Sequence, residues 1–360
     1  MEWDCKANKS EGYFKLIIVH KLNRMSLLLS IVVPVYNRPN EIDELLESLT
    51  RQDYKNPYEV VIVEDGSTES SEKVIDKYID KLNIKYLFKE NSGPGDSRNY
   101  GMRKASGNYF IILDSDVILP THYLSTINSF LKNNYVDCFG GADTAHESFT
   151  VIQKAINYTM TSFLTTGGIR GGKTKVQKFE PRSFNMGISK EAFEKTNGFA
   201  RIHPGEDPDL SRRIEKAGFK TSFLPNAYVY HKRRISWEKF HTQVKKFGMV
   251  RPILTSWHPK TKKITFWFPT FFVFFVITSV LGTILKSNII VLLPLLSYLG
   301  VLMIHSTITS KSIKVGILSV YATFIQFFGY GIAFLKSTFY IRVLKRDPEK
   351  QFPYLFFKKN

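Results

Sequence analysis

The chain has 360 residues, 43% of them hydrophobic and 14% aromatic, which excludes a largely disordered protein. Its net charge of +18 points first to nucleic acid or to an anionic membrane surface. The distribution decides between them. Residues 1–231 carry 30 basic and 29 acidic side chains, whereas residues 232–263 carry 10 basic and one acidic. Residues 264–341 carry four basic and no acidic side chains, and residues 342–360 carry six and two. Basic charge that flanks an apolar region marks a membrane, not nucleic acid. Cys5 and Cys138 are far apart and lack His partners at zinc spacing, so no disulfide framework or Cys-ligated metal follows.

Residues 1–25 read as an N-terminal extension. Lys15, His20 and Lys21 break its only apolar run, so it is not a signal peptide pattern, and fold signals begin after Met25. Ser30–Tyr36 is a β-branched run and reads as a strand. Asn40–Gln52 carries Ile42, Leu45, Leu46 and Leu49 at helical spacing. Tyr58–Val63 is a second strand. Ser70–Leu82 reads as a helix with Val74, Ile75, Tyr78, Ile79 and Leu82 on one side. Ile84–Phe88 is a third strand, Gly95–Ala105 a helix, and Tyr109–Leu113 a fourth strand. This alternation predicts an α/β fold with a mainly parallel, Rossmann-like sheet covered on both faces.

Ligands bind beyond the carboxyl ends of such strands. Pro34, Tyr36 and Asn37 end the first strand, Asp65 ends the second, and Asp114-Ser115-Asp116 ends the fourth. No Walker A motif and no GxGxxG follows strand one. A DxD is often only a turn. At a strand's carboxyl end it is also a fit for Mg²⁺ or Mn²⁺, which take oxygen ligands, often one or two carboxylates plus substrate phosphates. Asp65 is suited to accept hydrogen bonds from a base or to form a local turn. Arg98 is suited to phosphate or to a helix surface. Glu206-Asp207 follows His203-Pro204-Gly205 and reads either as acidic capping of a helix from Asp209 or as a general base. Thr165–Lys178 is rich in Gly, Thr and Lys and reads as a loop, and short helices are expected within Asn185–Phe199 and Asp209–Gly218.

The last third changes character. Phe266–Leu285, Ser287–Ser310 and Val315–Leu335 are each long and apolar enough for a helix across a bilayer of roughly 30 Å. The basic segment 232–263, with Trp237, Phe240, Phe247 and Trp257 interleaved, is expected to rest on the cytoplasmic leaflet. Three crossings would put the tail, residues 342–360, outside, and its basic excess opposes that. The third segment therefore also reads as re-entrant or interfacial. The expected organisation is an extension (1–25), a catalytic domain (26–231), a basic juxtamembrane segment (232–263), a transmembrane region (264–341) and a basic tail.

The set SIVVPVYNR (30–38), VEDGS (63–67), NSGPGDSRNYG (91–101), LDSD (113–116) and GEDPDLSRRI (205–214) resembles the family 2 glycosyltransferases, with the GT-A fold. The resemblance covers roughly residues 26–250, with its motifs in family order. It implies inverting transfer from a nucleotide-sugar, usually a UDP-sugar, with Mg²⁺ or Mn²⁺. It also implies roles. Pro34, Tyr36, Asn37 and Asp65 frame the nucleotide, and Arg98 lies near the uridine and phosphates. Asp114 faces ribose and metal, Asp116 binds the metal, His231 approaches it, and Asp207 is the base, with Glu206 its rival. Processive polysaccharide synthases carry Q-x-x-R-W, where this chain has Gln243-Val244-Lys245-Lys246-Phe247. Lys lacks the bidentate fork of Arg. The expected activity is therefore addition of one sugar to a lipid-linked or membrane-proximal saccharide, in glycan synthesis at the cytoplasmic face of a bacterial inner or cell membrane. A polyprenyl-phosphate glycosyltransferase, a processive synthase and a degenerate membrane-anchored nucleotide-sugar-binding protein are the alternatives.

Overall fold

The computed structural model describes residues 27–144, 149–167, 180–231 and 236–357. The expected extension, most of the Thr165–Lys178 loop, residues 232–235 and the last three residues lie outside the described residues, as does the side chain of His231. The chain forms two compact units. The first holds residues up to Thr144 with Pro181–Phe199 and Arg213–Tyr230. The second holds Ala145–Glu180, Ala200–Arg212 and His231–Asn360.

The first unit is built on an eight-stranded mixed sheet. Its strands are β1 (Leu29–Val35), β2 (Tyr58–Asp65), β3 (Ile84–Lys89), β4 (Tyr109–Leu113), β5 (Val117–Ile118), β6 (Cys138–Thr144), β7 (Asn185–Ser189) and β8 (Thr221–His231). Their order across the sheet is β3-β2-β1-β4-β7-β6-β8-β5. The pairs β2–β3, β1–β2 and β1–β4 are parallel, as expected; β6–β8 is parallel too, whereas β7 runs antiparallel to both β4 and β6. One face of β1 packs Ile31, Val33 and Val35 against Ile42, Leu45, Leu46 and Leu49 of helix Pro39–Thr50. Helix Pro94–Lys104 covers the other face. A Cβ on its Gly101 would meet Val32 Cγ1 at 2.6 Å and Val63 Cγ2 at 3.0 Å, so only glycine allows this approach.

The helix expected over Ser70–Leu82 is confined to Glu72–Ile75. Beyond it, three-residue turns dominate: Lys77, Tyr78 and Lys81 each bond to the carbonyl three residues back. Ile75, Tyr78 and Leu82 still face the core, but Ile79 is turned to solvent by the tighter winding.

The second unit is helical. Helices Phe268–Lys286, Leu293–Ser310 and Ile313–Thr338 lie within three segments long and apolar enough to cross a membrane, of mean hydropathy 2.1, 2.1 and 1.5. They agree with the three expected segments within a few residues at most ends. Protein covers little of the first two, 17% each, but 44% of the third. The cover comes largely from helix Trp237–Trp257. A Cβ on Gly248 would meet Tyr330 O at 2.3 Å, one on Gly329 would meet Val244 Cγ2 at 2.9 Å, and Ser337 Oγ donates to Met249 O at 2.6 Å. Phe240, expected at a leaflet, is instead buried with Ile156, Met160, Val244 and Ala322. The aromatic pattern of this basic segment is thus partly a protein core, and Glu238, Lys239 and Lys245 form its exposed side.

Candidate active site

In the first unit the loops after β1, β2 and β3 are tied together by side chains. Asn37 stands at φ 52°, a conformation Asn tolerates. Its Oδ1 accepts from Thr68 N at 2.8 Å and Glu69 N at 3.0 Å, while its own N–H donates to Ser67 Oγ at 2.7 Å. Pro34 is half-buried just before it, and Tyr36 is 50% exposed. Glu64, unremarked in the sequence, accepts from Ser71 N at 2.9 Å and from the Ser67 hydroxyl.

Asp65 is almost fully buried. Oδ1 accepts from Ser92 N at 3.0 Å and Lys89 Nζ at 2.9 Å, and Oδ2 accepts from Gly93 N at 2.9 Å. It holds the NSGPG loop in place. Lys89, its cationic partner at the end of β3, gave no signal of this in the sequence.

Arg98 is 3% exposed and donates through Nη2 to Asp114 Oδ1 at 2.6 Å. Its guanidinium lies 5.4 Å from the Phe199 ring centre. Asn99 fixes that ring's backbone, accepting from Phe199 N and donating to Phe199 O at 2.8 Å each. Asp116 stands 3.6 Å from Arg38 Nη1, a second arginine that sequence reasoning did not assign to the site. Two carboxylates therefore converge with two arginines at the end of β4. Among the described residues no group of three or more His, Cys, Asp or Glu is arranged to hold a metal. The donor set still fits Mg²⁺ or Mn²⁺: Asp114 and Asp116 offer hard oxygens, their side chains remain 31% and 18% exposed, and substrate phosphates complete such sites.

In the second unit, Gly205 adopts φ 125° before helix Glu206–Lys216, and a Cβ there would meet Val250 Cγ1 at 2.5 Å. Glu206 is buried and its Oε1 lies 2.8 Å from His203 Nδ1. Asp209 is buried and its Oδ1 lies 2.8 Å from His258 Nε2. Asp207 is less buried than either. All three carboxylates sit in the helix's first turn, where its dipole favours negative charge, so the capping reading and the base reading coexist. Nearby, Glu180 pairs with Arg212. Burial, first of all, pulls the Lys263 ammonium below its ordinary pKa; Glu180 opposes this, and Arg212 and Arg251 add to it.

Residues 30–196 match the family model "Glycosyl transferase family 2". This region is a family 2 glycosyltransferase domain. The glycosyltransferase domain is similar to poly(ribitol-phosphate) beta-N-acetylglucosaminyltransferase TarS of Staphylococcus aureus strain Mu50, with 37% identity over 111 residues, 30% of this chain and 19% of TarS. An uncharacterised glycosyltransferase of Haemophilus influenzae is 36% identical over 111 residues, 30% of this chain and 44% of that protein. The chain thus spans about a fifth of the TarS length it matches. The mannosyltransferase PcManGT of Pyrobaculum calidifontis, solved with GDP-Man and Mn²⁺, superposes with a TM-score of 0.55 at 15% identity over 82% of this chain and 86% of that one. The fold of the glycosyltransferase domain is GT-A, followed by the apolar helices.

Proposed function

We propose that the chain is an inverting, metal-dependent glycosyltransferase that moves a sugar from a UDP-sugar to a hydroxyl of a lipid-linked or membrane-proximal saccharide. The observation that carries this reading is the Asp114–Asp116 pair at the end of β4, backed by Arg98 and Arg38 inside a family 2 domain. Nucleotide-sugar use is supported by the GDP-Man bound in PcManGT.

The chemistry follows from the residue types. Asp207 takes the proton of the acceptor hydroxyl as that oxygen bonds to the anomeric carbon. The bond from that carbon to the donor phosphate oxygen breaks, and its electron pair leaves with the nucleoside diphosphate. Attack from the opposite face inverts the centre, and no covalent sugar–enzyme intermediate forms. Arg98 and Arg38 supply positive charge toward the departing phosphates. Asp116 and Asp114 would hold a Mg²⁺ or Mn²⁺ ion, which when bound would supply Lewis-acid stabilisation of the same charge. Glu206, whose Oε1 faces His203, is more deeply buried than Asp207 and is the rival base.

The test is release of UDP or GDP from a panel of nucleotide-sugars by the full chain in membranes, with and without Mg²⁺ and Mn²⁺. Metal-dependent release from a UDP-sugar is expected. Binding without release, across donors and acceptor lipids, would point to a binding protein instead.

A further inference from the structure

The end of the chain returns to the turn that carries the acidic pair. Ile202 forms an antiparallel bridge with Phe356. His203 N donates to Leu355 O at 2.8 Å, and Phe357 N donates to Arg201 O at 3.1 Å. Arg201 Nη2 reaches both carboxylate oxygens of Glu349, at 2.8 and 2.9 Å, and its Nη1 donates to Phe357 O at 3.0 Å. Phe352 and Leu355 are almost fully buried, in one cluster with Ile202, Ile253, Leu254 and Ala333. A strand-like bridge plus buried apolar anchors makes this tail part of the fold.

We infer that residues 348–357 brace the Glu206–Asp207 turn, and that the apolar region before them crosses the bilayer twice, so that the tail stays on the side of the acidic pair. The bracing role rests on the reading of Asp207 as the base.

The crossing number follows from parity. His258 meets Asp209, so the chain enters the apolar region from the side of the acidic pair. Arg201 holds Glu349, so the chain leaves that region on the same side. An odd number of crossings between them is impossible, and the three apolar helices do not all span. Helix Ile313–Thr338 is the one held back. It packs along helix Trp237–Trp257, whose Lys239 and Lys245 are exposed. A Lys at the centre of a membrane-spanning helix is strongly disfavoured. Helices Phe268–Lys286 and Leu293–Ser310 turn Phe271, Phe274, Leu281, Leu296 and Ile304 outward and form the hairpin that spans. The tail's basic excess then lies on the cytoplasmic side with the other basic segments, which removes the conflict that three spans create.

The brace works through His203. Its backbone is fixed by Leu355, its ring lies 6.0 Å from that of Phe357, and its Nδ1 reaches Glu206, next to Asp207. Arg201 and His203 are positioning residues.

Two arms test this in the full chain. In a background with both cysteines replaced by serine, Glu238→Cys, Ile289→Cys and Lys350→Cys are probed with a membrane-impermeant maleimide in right-side-out and inside-out vesicles. Residues 238 and 350 should label from one side and 289 from the other. Labelling of 350 from the side opposite to 238 overturns the two-crossing fold, whichever residue is the base. In the second arm, Arg201→Glu and Glu349→Lys should each lower kcat about tenfold with UDP affinity unchanged, and the double swap should restore it. This pair is partly exposed, so stability should hardly move. Unchanged kcat in both single variants, or equal loss in the double swap, overturns the brace. Failure of the base reading shows separately, as retained transfer in Asp207→Asn.

Discussion

Arg98 donates to Asp114 across 2.6 Å from a position that is 3% exposed, while Asp114 remains about one-third open to solvent. The buried partner is therefore the cation, and it aims its charge at the end of β4. Breaking a buried pair by removing one partner costs roughly 3–5 kcal/mol. Here the remaining Asp114 can hydrate, so Arg98→Met should fall at or below the low end of that range. Thermal unfolding of the detergent-solubilised chain checks this, and UDP affinity should fall with it. Arg98→Lys should recover stability in part but not UDP affinity, because lysine lacks the guanidinium fork.

Asp65 makes a different demand. Its two oxygens serve two backbone N–H groups and Lys89. In Asp65→Asn the amide nitrogen cannot accept, so one N–H of the Ser92–Gly93 loop is left unsatisfied, at a cost of about 1–3 kcal/mol. A lower Tm with a parallel loss of UDP affinity is expected. Unchanged Tm with altered choice among UDP, GDP and ADP would mean that the residue only reads the base.

Gly205 should tolerate no side chain. Its φ of 125° and the 2.5 Å approach of a Cβ to Val250 act together in Gly205→Ala. Such strain costs about 1–3 kcal/mol. The expected result is a large fall in kcat with UDP affinity retained, measured by UDP release and by UDP titration.

Ending the chain at Lys263 removes the partner of helix Trp237–Trp257 and uncovers Phe240, Val244, Met249 and Ile253. The truncated protein should therefore pellet at low and at high salt alike. Release from anionic vesicles by salt would show instead that the basic charges dominate its membrane contact.

Much of the fold was legible because buried parallel strands are continuous apolar runs: β1, β2 and β4 lie where their β-branched stretches predict. Their carboxyl ends located Asp65, Asp114 and Asp116 without further help. What was not legible is tertiary. The β7 segment NMGIS is too mixed to announce a central antiparallel strand, yet it lies between β4 and β6. Helix Val151–Thr161 is short, and nothing in its sequence names its partner: Tyr158 meets His305 at 2.7 Å only in the folded chain. Lys89, Arg38 and Glu349 each look like ordinary surface charges until their partners are brought to them.

The most direct test of the account is a comparison of Asp207→Asn, Glu206→Gln and Asp116→Asn in the full chain, with kcat for transfer and affinity for UDP plus Mn²⁺ measured on the same preparations. Asparagine keeps the shape of Asp207 but takes no proton, so kcat should fall about 10²–10⁴-fold while UDP affinity stays near normal. Asp116→Asn should lose metal-supported UDP binding as well. The account is contradicted if Asp207→Asn keeps transfer while Glu206→Gln loses it, or if Asp207→Asn loses UDP binding as severely as Asp116→Asn.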